Sequence, residues 1–571
     1  MPLDRITSAL LSAFVASHGL DSLDEATQFE HFTAYLCMSR YLDESADIAD
    51  THVGAGNDTG VDAIGIIVNG SLVTDPDSVE ELLAVNGYIE ATFVFVQSDR
   101  SAGFETTKIA NIGYGVSDFF ADPPTLTRNE DVTAAAEVMA AVYKQSGRFR
   151  ENPACKIFYV TTGKWTGDHD LEARRASALQ DLASLGIFST VEFSPLGADD
   201  IRELDRQSKS AISREFLFPS SVVVPDMPGV RDAYIGILPA TEFVALLDDG
   251  EGHILPGLFY DNVRDWQDYN TVNEGMRTSL ASEPERHRFV IMNNGITVIA
   301  KTLTRTGNRF HITDYQIVNG GQTSHVLFDS REFLDASTLV PLRLISTDDE
   351  EVIASIVRAT NRQTEVTEDQ LLALSDFQKQ LEQYFTTIPM AQRLYYERRS
   401  RQYNSTGIEK TRIVTLQNLV RAYASMFLQL PHQTTRNYRA LREQLGVTIF
   451  VEGHRLEPYY YAASALYRLE FLFRNGQLDA KFKPARYHIL MAALLLAAPN
   501  NLPAANSHAM ERFCAPLITA IWIAEQADAL LQRAAEIVAE AADGNFGRDH
   551  VRTQPFTERV RDIAIAARAA G

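Results

Sequence analysis

Very apolar strands alternate with helical segments through the first third of this chain. Residues 61–68 (VDAIGIIV) and 91–97 (ATFVFVQ) carry hydrophobic side chains on both faces. Strands that are buried on both faces need layers of helices on either side of their sheet. The pattern therefore predicts a mixed α/β fold for this part of the chain.

The chain has 571 residues, which is enough for about three domains. In the first part, 1–205, apolar spacing predicts helices at 27–42, 104–120, 131–145 and 170–185, and further strands at 156–163 and 189–196. A linker with Pro225 and Pro228 then leads into a central α/β part at 225–350. Its strands are expected at 233–238, 295–302, 309–316 and 339–346, with helices at 240–248 and 271–281. From 351 to 571 the spacing is helical, and three apolar segments are expected to pack in a core or a subunit interface: 463–473, 487–498 and 527–542.

The formal net charge of −23 argues against a chain whose whole surface binds nucleic acid. The charge is unevenly distributed, however. Residues 1–100 contain 17 Asp and Glu against 3 Arg, a balance of −14, whereas residues 391–440 contain 9 Arg and Lys against 2 Glu, a balance of +7. Any contact with a polyanion is therefore expected to be local and to involve the second stretch.

The three cysteines are far apart in the sequence, so neither a zinc ribbon nor a disulfide framework is expected. Three reduced cysteines in packed sites fit a reducing compartment. The N-terminal segment is typical of an amphipathic helix rather than a signal peptide, and no apolar run reaches 18 residues. We therefore expect a cytoplasmic protein without a membrane span, and the Ala-rich C-terminal helices favour self-association into a homo-oligomer.

Two polar side chains stand at the ends of neighbouring apolar strands in the first part. Asp62 begins one strand and Gln97 ends the next, beside a Gly-rich turn, and Glu30 lies on the preceding helix. Oxygen ligands of this kind can hold Mg²⁺, which keeps several waters and can generate a hydroxide nucleophile. An equally open interpretation is that Asp62 and Asp58 cap turns and that Gln97 only ends its strand. Three histidines, His31, His52 and His325, lack metal-ligand spacing and are interpreted as structural.

The segments FEHFTAYL, GNDTGVDAIGIIVNG and ATFVFVQSDRS resemble the PD-(D/E)XK nuclease core. The resemblance implies a restriction-endonuclease-like N-terminal domain in which Glu30, Asp62 and Gln97 take three of the four catalytic positions. Asp62 and Gln97 would then hold Mg²⁺ or Mn²⁺. The fourth position, a lysine in the family, is Asp99 here, followed by Arg100.

Two interpretations of that departure remain open. Arg100 is one residue out of register, and a one-residue shift on a strand points a side chain to the opposite face. Lys108 lies on the following helix, where some nucleases of this superfamily carry the lysine, so Lys108 is a candidate replacement. The alternative is that the site has lost catalysis.

Four blocks further along the chain resemble the signature of the abortive-infection phage-resistance (AIPR) family. They are LFYDNVRDWQDYNTVNEGM (258–276), FVIMNNGITVIA (289–300), DYQIVNGGQTSHVLFDS (314–330) and IVRATNRQTEVTEDQL (356–371). The NNG and VNGG segments predict tight turns, and the residues after the second turn open a helix whose backbone N–H groups could receive an anion. Asn319, Gln322 and Asn361 are candidate ligand contacts, with structural hydrogen bonding equally open. For Asn293 and Asn294 the architectural interpretation is favoured.

The basic stretch at 393–423 mixes arginines with tyrosines. Arginine binds phosphates through two parallel hydrogen bonds, and tyrosine offers a face on which unpaired bases stack. The candidate nucleic-acid contacts are Arg398, Arg399, Arg401, Lys410, Arg412 and Tyr396. An exposed helix face that balances the acidic N-terminal part is an at least equally good explanation.

Together these features predict an anti-phage defence protein that cleaves DNA or RNA with Mg²⁺ or Mn²⁺ during infection and is held in check until a trigger, for which a phage-encoded partner is a candidate. The rival prediction is a non-catalytic protein that binds nucleic acid or a phage ligand, which Asp99 at the lysine position favours. A nucleotide-binding regulator built around the VNGGQT turn is a third and weaker alternative. Lys108 close to Asp62 and Gln97 would favour the enzyme.

Overall fold

The computed structural model describes residues 3–42, 48–54, 56, 58–209, 212–249, 252, 254–255, 258–259, 271–360, 376–398, 402–403, 408–436, 438–498 and 501–570. Three of the candidate residues, Asn361, Arg399 and Arg401, lie outside these ranges. The described residues form a mixed α/β fold, as the alternation of strands and helices predicts. Helices are numbered below without the short 3-10 turns.

A five-stranded mixed sheet organises the N-terminal part, in the order β2-β1-β3-β4-β5. Strand β1 runs antiparallel to both β2 and β3, whereas β3, β4 and β5 are parallel to one another. The strands are β1 (Ala63–Val68), β2 (Ser71–Leu72), β3 (Ala91–Asp99), β4 (Ala154–Thr161) and β5 (Thr190–Leu196). All four predicted strands are confirmed, with ends shifted by at most two residues.

Helices cover both faces of this sheet. They are α1 (Arg5–His18), α2 (Glu25–Met38), α3 (Pro76–Asn86), α4 (Thr106–Phe119), α5 (Glu130–Lys144), α6 (His169–Ala183) and α7 (Ala198–Lys209). Phe93 and Phe95 of β3 pack against α4, α5 and α6, whereas Val94 and Val96 pack against α1, α2 and α7. Alternate residues of a strand point to opposite faces, so both faces of β3 are buried, as its continuous apolar sequence requires.

A six-stranded sheet forms the central part, in the order β6-β10-β9-β11-β8-β7. Its strands are β6 (Ser213–Leu217), β7 (Ser220–Val223), β8 (Asp232–Pro239), β9 (Ile296–Thr306), β10 (Arg309–Asn319) and β11 (Leu339–Ser346). The sheet is antiparallel except where β9 and β11 run parallel. Strands β6 and β7 were not predicted, because their short sequences lie beside the proline-containing linker and carry exposed side chains.

Six helices accompany this sheet in the described ranges. They are α8 (Ala240–Leu247), α9 (Thr271–Ala281), α10 (Glu283–Arg286), α11 (Phe289–Met292), α12 (Gly321–Asp329) and α13 (Glu350–Thr360). The largest core of this part joins one face of the sheet to α8 and α12. On the opposite face, Ile353 and Val357 of α13 pack against Ile299 and Val318.

Within its described residues, the C-terminal part is helical apart from the two short parallel strands β12 (Tyr395–Glu397) and β13 (Ile413–Thr415). Its helices are α14 (Asp376–Thr387), α15 (Leu416–Phe427), α16 (Gln433–Arg436), α17 (Tyr438–Arg442), α18 (Glu457–Arg474), α19 (Arg486–Ala497), α20 (His508–Ile521), α21 (Ala524–Ala542), α22 (Arg548–Val551) and α23 (Gln554–Ala570). The three apolar segments named from the sequence lie in α18, α19 and α21. Their side chains belong to one large core that spans this part.

Ion pairs join the N-terminal part to the other two. Asp50 accepts from Lys483 at 2.8 Å and from Arg486 at 3.0 Å, both in the C-terminal part. Arg552 donates to Asp77 at 2.5 Å. Arg150 donates to Asp329, at the end of α12 in the central part, at 2.9 Å. The acidic N-terminal part is therefore held by cations of the helical region that lie outside the basic stretch at 391–440.

Cys37, Cys155 and Cys514 are free and buried, as predicted. Among the described helices, none is both long and apolar enough on its own to cross a membrane. The consecutive helices α20 and α21 meet that criterion only as a pair, and they are bent by 101° relative to each other.

Candidate functional site

The sheet of the N-terminal part brings Asp62 and Gln97 into contact. The backbone N–H of Asp62 donates to the carbonyl of Val96 at 2.8 Å, which fixes the start of β1 against β3. The Nε2 group of Gln97 donates to Oδ2 of Asp62 at 2.9 Å, and the backbone N–H of Ser98 donates to the same oxygen at 2.6 Å. The two residues singled out from the strand ends thus form one polar cluster.

The turn before Asp62 depends on glycine and on a capping aspartate. Asp58 accepts a hydrogen bond from the backbone N–H of Gly60 at 2.9 Å, so Asp58 does cap the turn. Thr59 and Gly60 both have positive φ, +59° and +82°. Gly115 of α4 lies against this turn so closely that an added Cβ atom would fall 1.6 Å from the carbonyl oxygen of Thr59. Helix α4 therefore supports the segment that presents Asp62.

Asp62 is a carboxylate in an unfavourable electrostatic position. Its side chain is buried, and burial together with the nearby charge of Glu30 raises the pKa of Asp62 to about 7. The hydrogen bond from Ser98 and the proximity of His52 act in the opposite direction but are weaker. A buried carboxylate next to a second carboxylate favours binding either a proton or a cation.

Glu30 of α2 contacts His52, a residue that the sequence analysis treated as structural. The Nε2 atom of His52 lies 2.8 Å from Oε2 of Glu30, and the ring of His31 stacks on that of His52 at a centroid distance of 4.7 Å. The available signal was that His52 belongs to the same acidic, Gly-rich segment (DTHVGAGNDTG) that leads into Asp62. Spacing rules for metal ligands overlooked it because its partner lies 22 residues away on a helix.

Lys108 reaches the strand that carries Gln97, where its partner is Asp99. The Nζ atom of Lys108 forms an ion pair with Oδ2 of Asp99. Burial alone would raise the pKa of Asp99, but hydrogen bonds from Lys108 and Ser101 outweigh it and hold the pKa below its ordinary value. Gln97 and Asp99 are two residues apart and share one face of β3. A cation from α4 is therefore placed on the face where the family pattern has a strand lysine.

Arg100 points away from this cluster. Its guanidinium donates to Glu25, at the start of α2, at 2.8 Å; the Arg100 side chain is half-buried and that of Glu25 is exposed. This is the expected consequence of a one-residue shift along a strand.

The donor set fits a hard divalent cation. Among the described residues, no group of three or more His, Cys, Asp or Glu side chains is arranged to hold a metal ion. Mg²⁺ does not require such a group, because it is usually bound by one or two carboxylates and completes its shell with water and substrate oxygens. Asp62 supplies one such carboxylate beside the amide of Gln97, and burial together with the charge of Glu30 raises the pKa of Asp62.

The glycine turns of the central part enclose a polar network. Asn273 donates to Oε1 of Gln322 at 2.6 Å, and Asn293 donates to Thr323 at 2.9 Å. Asn319 donates to the carbonyl of Thr360, the last residue of α13, at 3.0 Å. Two of the candidate ligand contacts, Asn319 and Gln322, thus hold secondary-structure elements together in this structure. Their role as ligand contacts stays a prediction.

Two of the candidate nucleic-acid contacts are buried, which corrects the expectation for them. Tyr396 is completely buried, and its hydroxyl donates to Gln378 at 2.6 Å. Arg398 is 3% exposed and donates to Glu382 at 2.9 Å. The aromatic face of Tyr396 packs in the hydrophobic core, so neither residue presents a surface to nucleic acid in this arrangement.

Lys410 and Arg412 are partly buried and also bind within the protein. Lys410 donates to the carbonyl of Tyr403 at 3.4 Å, and burial lowers the pKa of its ammonium group. Arg412 donates to Glu409 at 2.7 Å and lies over the rings of Tyr467 and Trp522. The alternative of internal charge balance accounts for these contacts, although the mechanism is local pairing rather than contact with the N-terminal part.

A cavity of about 1310 Å³ lies between the N-terminal part and the C-terminal helices. One wall includes Ile64 and Ile66 of β1, on the same strand face as Asp62. Arginines and lysines line the cavity, but acidic residues outnumber them. The lining therefore does not favour binding of a polyanion. Its cations would become available to one only if the ion pairs at the edge of the cavity separated.

Residues 259–502 match the family model described as AIPR protein. Over this range the chain is similar to AIPR proteins. The matched range covers a little under half of the chain, begins within the central part and extends across residue 350 into the helical part. No curated protein and no solved structure matches the chain.

Proposed function

We propose that this chain is an anti-phage defence protein that acts by abortive infection, with a metal-dependent nuclease in its N-terminal part. The AIPR domain supports the defence role, because members of that family act in abortive infection of phage-infected cells. The nuclease activity rests on the N-terminal part, which the AIPR match does not include.

The observation that carries the nuclease proposal is the contact of Asp62 with Gln97. Two residues further along β3, Asp99 forms an ion pair with Lys108 of α4. The order of elements agrees with the proposal. After α2 the elements follow in the order β1, β2, α3, β3, α4, α5 and β4, with β1 antiparallel to β2 and β3 and with β4 parallel to β3, which is compatible with a restriction-endonuclease-like core. A carboxylate and an amide at the strand ends, with a lysine nearby, are the groups needed for phosphodiester hydrolysis.

Asp62 and Gln97 would hold Mg²⁺ or Mn²⁺, which supplies charge neutralisation and an activated water when bound. Lys108 contributes a positive charge next to the scissile phosphate, where it stabilises the negative charge that develops in the transition state. Glu30 keeps the local charge negative enough to favour a divalent cation. DNA and RNA share this phosphodiester chemistry, so both are candidate substrates.

Cleavage by the purified protein tests the proposal on three labelled substrates: plasmid DNA, single-stranded DNA and RNA. Each is incubated with Mg²⁺, with Mn²⁺ and with EDTA. Asp62→Asn keeps the shape of the side chain and removes its charge, so we expect metal-dependent cleavage to be lost. Asp170→Asn makes the same change at an exposed position of α6 and should cleave like the wild type.

The nuclease could need a trigger that is present only during infection. Cells that express the wild type, Asp62→Asn or Asp170→Asn are therefore also infected with phage. We expect wild-type cells and Asp170→Asn cells to resist phage, and Asp62→Asn cells to lose resistance. If the wild type cleaves none of the substrates and Asp62→Asn cells stay resistant, the nuclease proposal is wrong while the defence role remains.

One observation favours a second candidate function, a non-catalytic protein that binds nucleic acid or a phage ligand. The ammonium group of Lys108 is engaged by Asp99, which reduces the positive charge available to a phosphate. In this case Asp62→Asn should leave resistance intact. The two functions are thus separated by the same infection experiment.

A further inference from the structure

We propose that His52 is a nitrogen ligand of the cation at Asp62, with Glu30 orienting the imidazole, so that the site favours Mn²⁺ over Mg²⁺. This inference rests on the proposed metal site of the N-terminal part. It gives His52 a direct role and makes Glu30 the partner of a ligand rather than a ligand itself.

The backbone holds His52 beside Asp62. Residue 52 forms an antiparallel bridge with Ala63, the first residue of β1. The N–H of Val53 donates to the carbonyl of Asp62 at 2.8 Å. The segment that carries His52 is therefore paired with the start of the strand that presents Asp62, and the position of the imidazole does not depend on a free loop.

Neighbouring side chains fix the imidazole in one orientation. Oε2 of Glu30 lies 2.8 Å from Nε2 of His52, and the ring of His31 stacks on one face of the imidazole at an interplanar angle of 25°. A Cβ atom at Gly54 would lie 3.2 Å from Nε2 of His52 and 3.5 Å from Glu30, so glycine leaves room for this pair.

A carboxylate bound to one imidazole nitrogen is the usual companion of a metal-binding histidine. Such histidines donate their second ring N–H to a carboxylate, which fixes the tautomer and makes the other nitrogen a better ligand. When Nε2 of His52 carries the proton and donates to Glu30, Nδ1 keeps its lone pair for a metal. The side chains of His52 and Glu30 are 19% and 22% exposed, so a cation can reach them.

The composition of this ligand set predicts which cation it selects. Mg²⁺ prefers oxygen ligands, demands near-ideal octahedral geometry and gives up water reluctantly, whereas Mn²⁺, a first-row transition metal, accepts an imidazole nitrogen more readily than Mg²⁺ does. His52, Asp62 and Gln97 together supply one nitrogen and two oxygen-bearing groups. An imidazole in place of one oxygen ligand therefore shifts the preference from Mg²⁺ toward Mn²⁺.

Electron spin-echo spectroscopy of Mn²⁺ bound to the full-length protein tests the inference without any measurement of cleavage. A directly bound imidazole nitrogen modulates the echo of Mn²⁺, and labelling all histidines with ¹⁵N changes that modulation. We expect ¹⁴N modulation in the wild type, its replacement in the ¹⁵N-histidine protein, and its loss in His52→Gln. His31→Gln removes the stacked neighbour and should keep the signal.

Equilibrium Mn²⁺ binding adds a second measurement. Because loss of a carboxylate partner of a ligand lowers metal affinity about 10–100-fold, Glu30→Gln should weaken Mn²⁺ binding by that factor. It should keep the nitrogen signal at saturating Mn²⁺. Circular dichroism of each variant shows whether it is folded. The ¹⁵N-histidine protein has the wild-type sequence, so its result does not depend on the folding of a variant.

The outcomes distinguish this inference from the proposed function. Mn²⁺ that binds through Asp62 without nitrogen modulation overturns the role of His52 and leaves the metal site in place. A nitrogen signal that persists in folded His52→Gln overturns it as well, whatever His31→Gln shows. If the folded wild type binds no Mn²⁺ at millimolar concentration, both the inference and the metal site are overturned.

Discussion

Arg486 of the C-terminal part donates a hydrogen bond to Asp50 of the N-terminal part at 3.0 Å, and the same guanidinium donates to Glu470 at 3.1 Å. Lys483 contacts the other oxygen of Asp50 at 2.8 Å. Burial alone would raise the pKa of Asp50, but the two cations hold it well below its ordinary value. Two residues further along the chain lies His52, so this ion-pair cluster borders the candidate metal site.

Asp50→Asn should weaken the attachment of the N-terminal part to the helical part. Removing one partner of a largely buried ion pair leaves the remaining charges uncompensated, at a cost of about 2–5 kcal/mol. Because part of the Asp50 side chain is exposed, we expect the lower end of that range. Urea unfolding measures the loss, and Glu203→Gln, at a solvent-exposed pair with Arg206, should unfold like the wild type.

The pH dependence of unfolding should report on Asp62. Its pKa is about 7 in the folded protein and about 4 when unfolded, so the folded state binds the proton more tightly. Between those values stability falls as pH rises, by at most about 1.4 kcal/mol per pH unit, and above about pH 7 the loss is complete. Asp62→Asn should lack this slope and be more stable than the wild type at about pH 8.

Divalent cations should stabilise the protein most where Asp62 is ionised. A ligand that binds only the folded state raises the melting temperature by mass action, and here it competes with a proton. We expect Mn²⁺ to raise the Tm more at about pH 8 than at about pH 5, and to have no such effect on Asp62→Asn. A pH-independent rise that persists in the variant would place the cation elsewhere.

Substitutions at the Lys108–Asp99 pair should separate catalysis from folding. If Lys108 stabilises the transition state, Lys108→Met should lower the cleavage rate by about 100-fold or more. Asp99→Asn removes the competing carboxylate, so nucleic acid should bind more tightly and with a stronger salt dependence. Fluorescence anisotropy across a salt series measures the second effect. Equal cleavage by Lys108→Met and wild type would exclude Lys108 as the replacement lysine.

Tyr396 should behave as a core residue rather than as a nucleic-acid contact. Truncating a buried aromatic to alanine costs about 3–5 kcal/mol, so Tyr396→Ala should destabilise the helical part severely. Tyr396→Phe removes only the hydrogen bond to Gln378 and should cost about 1–3 kcal/mol. Neither change should alter nucleic-acid affinity in protein that remains folded. A loss of affinity in folded Tyr396→Phe would instead show that the hydroxyl of Tyr396 contributes to nucleic-acid binding.

Gly115→Ala should displace the turn that leads into Asp62. The added Cβ atom would fall on the carbonyl group of Thr59, a backbone contact that cannot move alone. Overpacking of this kind costs about 1–3 kcal/mol or more, and we expect weaker metal binding as well. Gly147→Ala is the matched control, because nothing lies within 4 Å of its added Cβ atom.

Hydrophobic patterning was sufficient to predict most of the fold. The strands at 91–97 and 339–346 and the helix at 240–248 were found because their burial follows directly from apolar spacing. Strands β6 and β7 were missed, since exposed edge strands have little hydrophobic signal. The cluster of Asp62 with Gln97 was predictable because neighbouring strand ends meet at one sheet edge.

Contacts that depend on tertiary structure could not be predicted. The proximity of His52 to Glu30 requires a helix and a turn to pack together, and no local pattern encodes that distance. The burial of Tyr396 and Arg398 was hidden for a related reason. An Arg- and Tyr-rich sequence looks the same whether it covers a surface or pairs with Gln378 and Glu382 in a core.

The attachment of Lys483, Arg486 and Arg552 to carboxylates of the N-terminal part bears on how a cell could store this protein between infections. These cations face the chain's own acidic residues, and the molecule as a whole carries a formal charge of −23 at pH 7. A net negative charge of this size repels other polyanions. The nuclease proposed above would in this form be held away from nucleic acid by charge, which is the state a cell needs between infections.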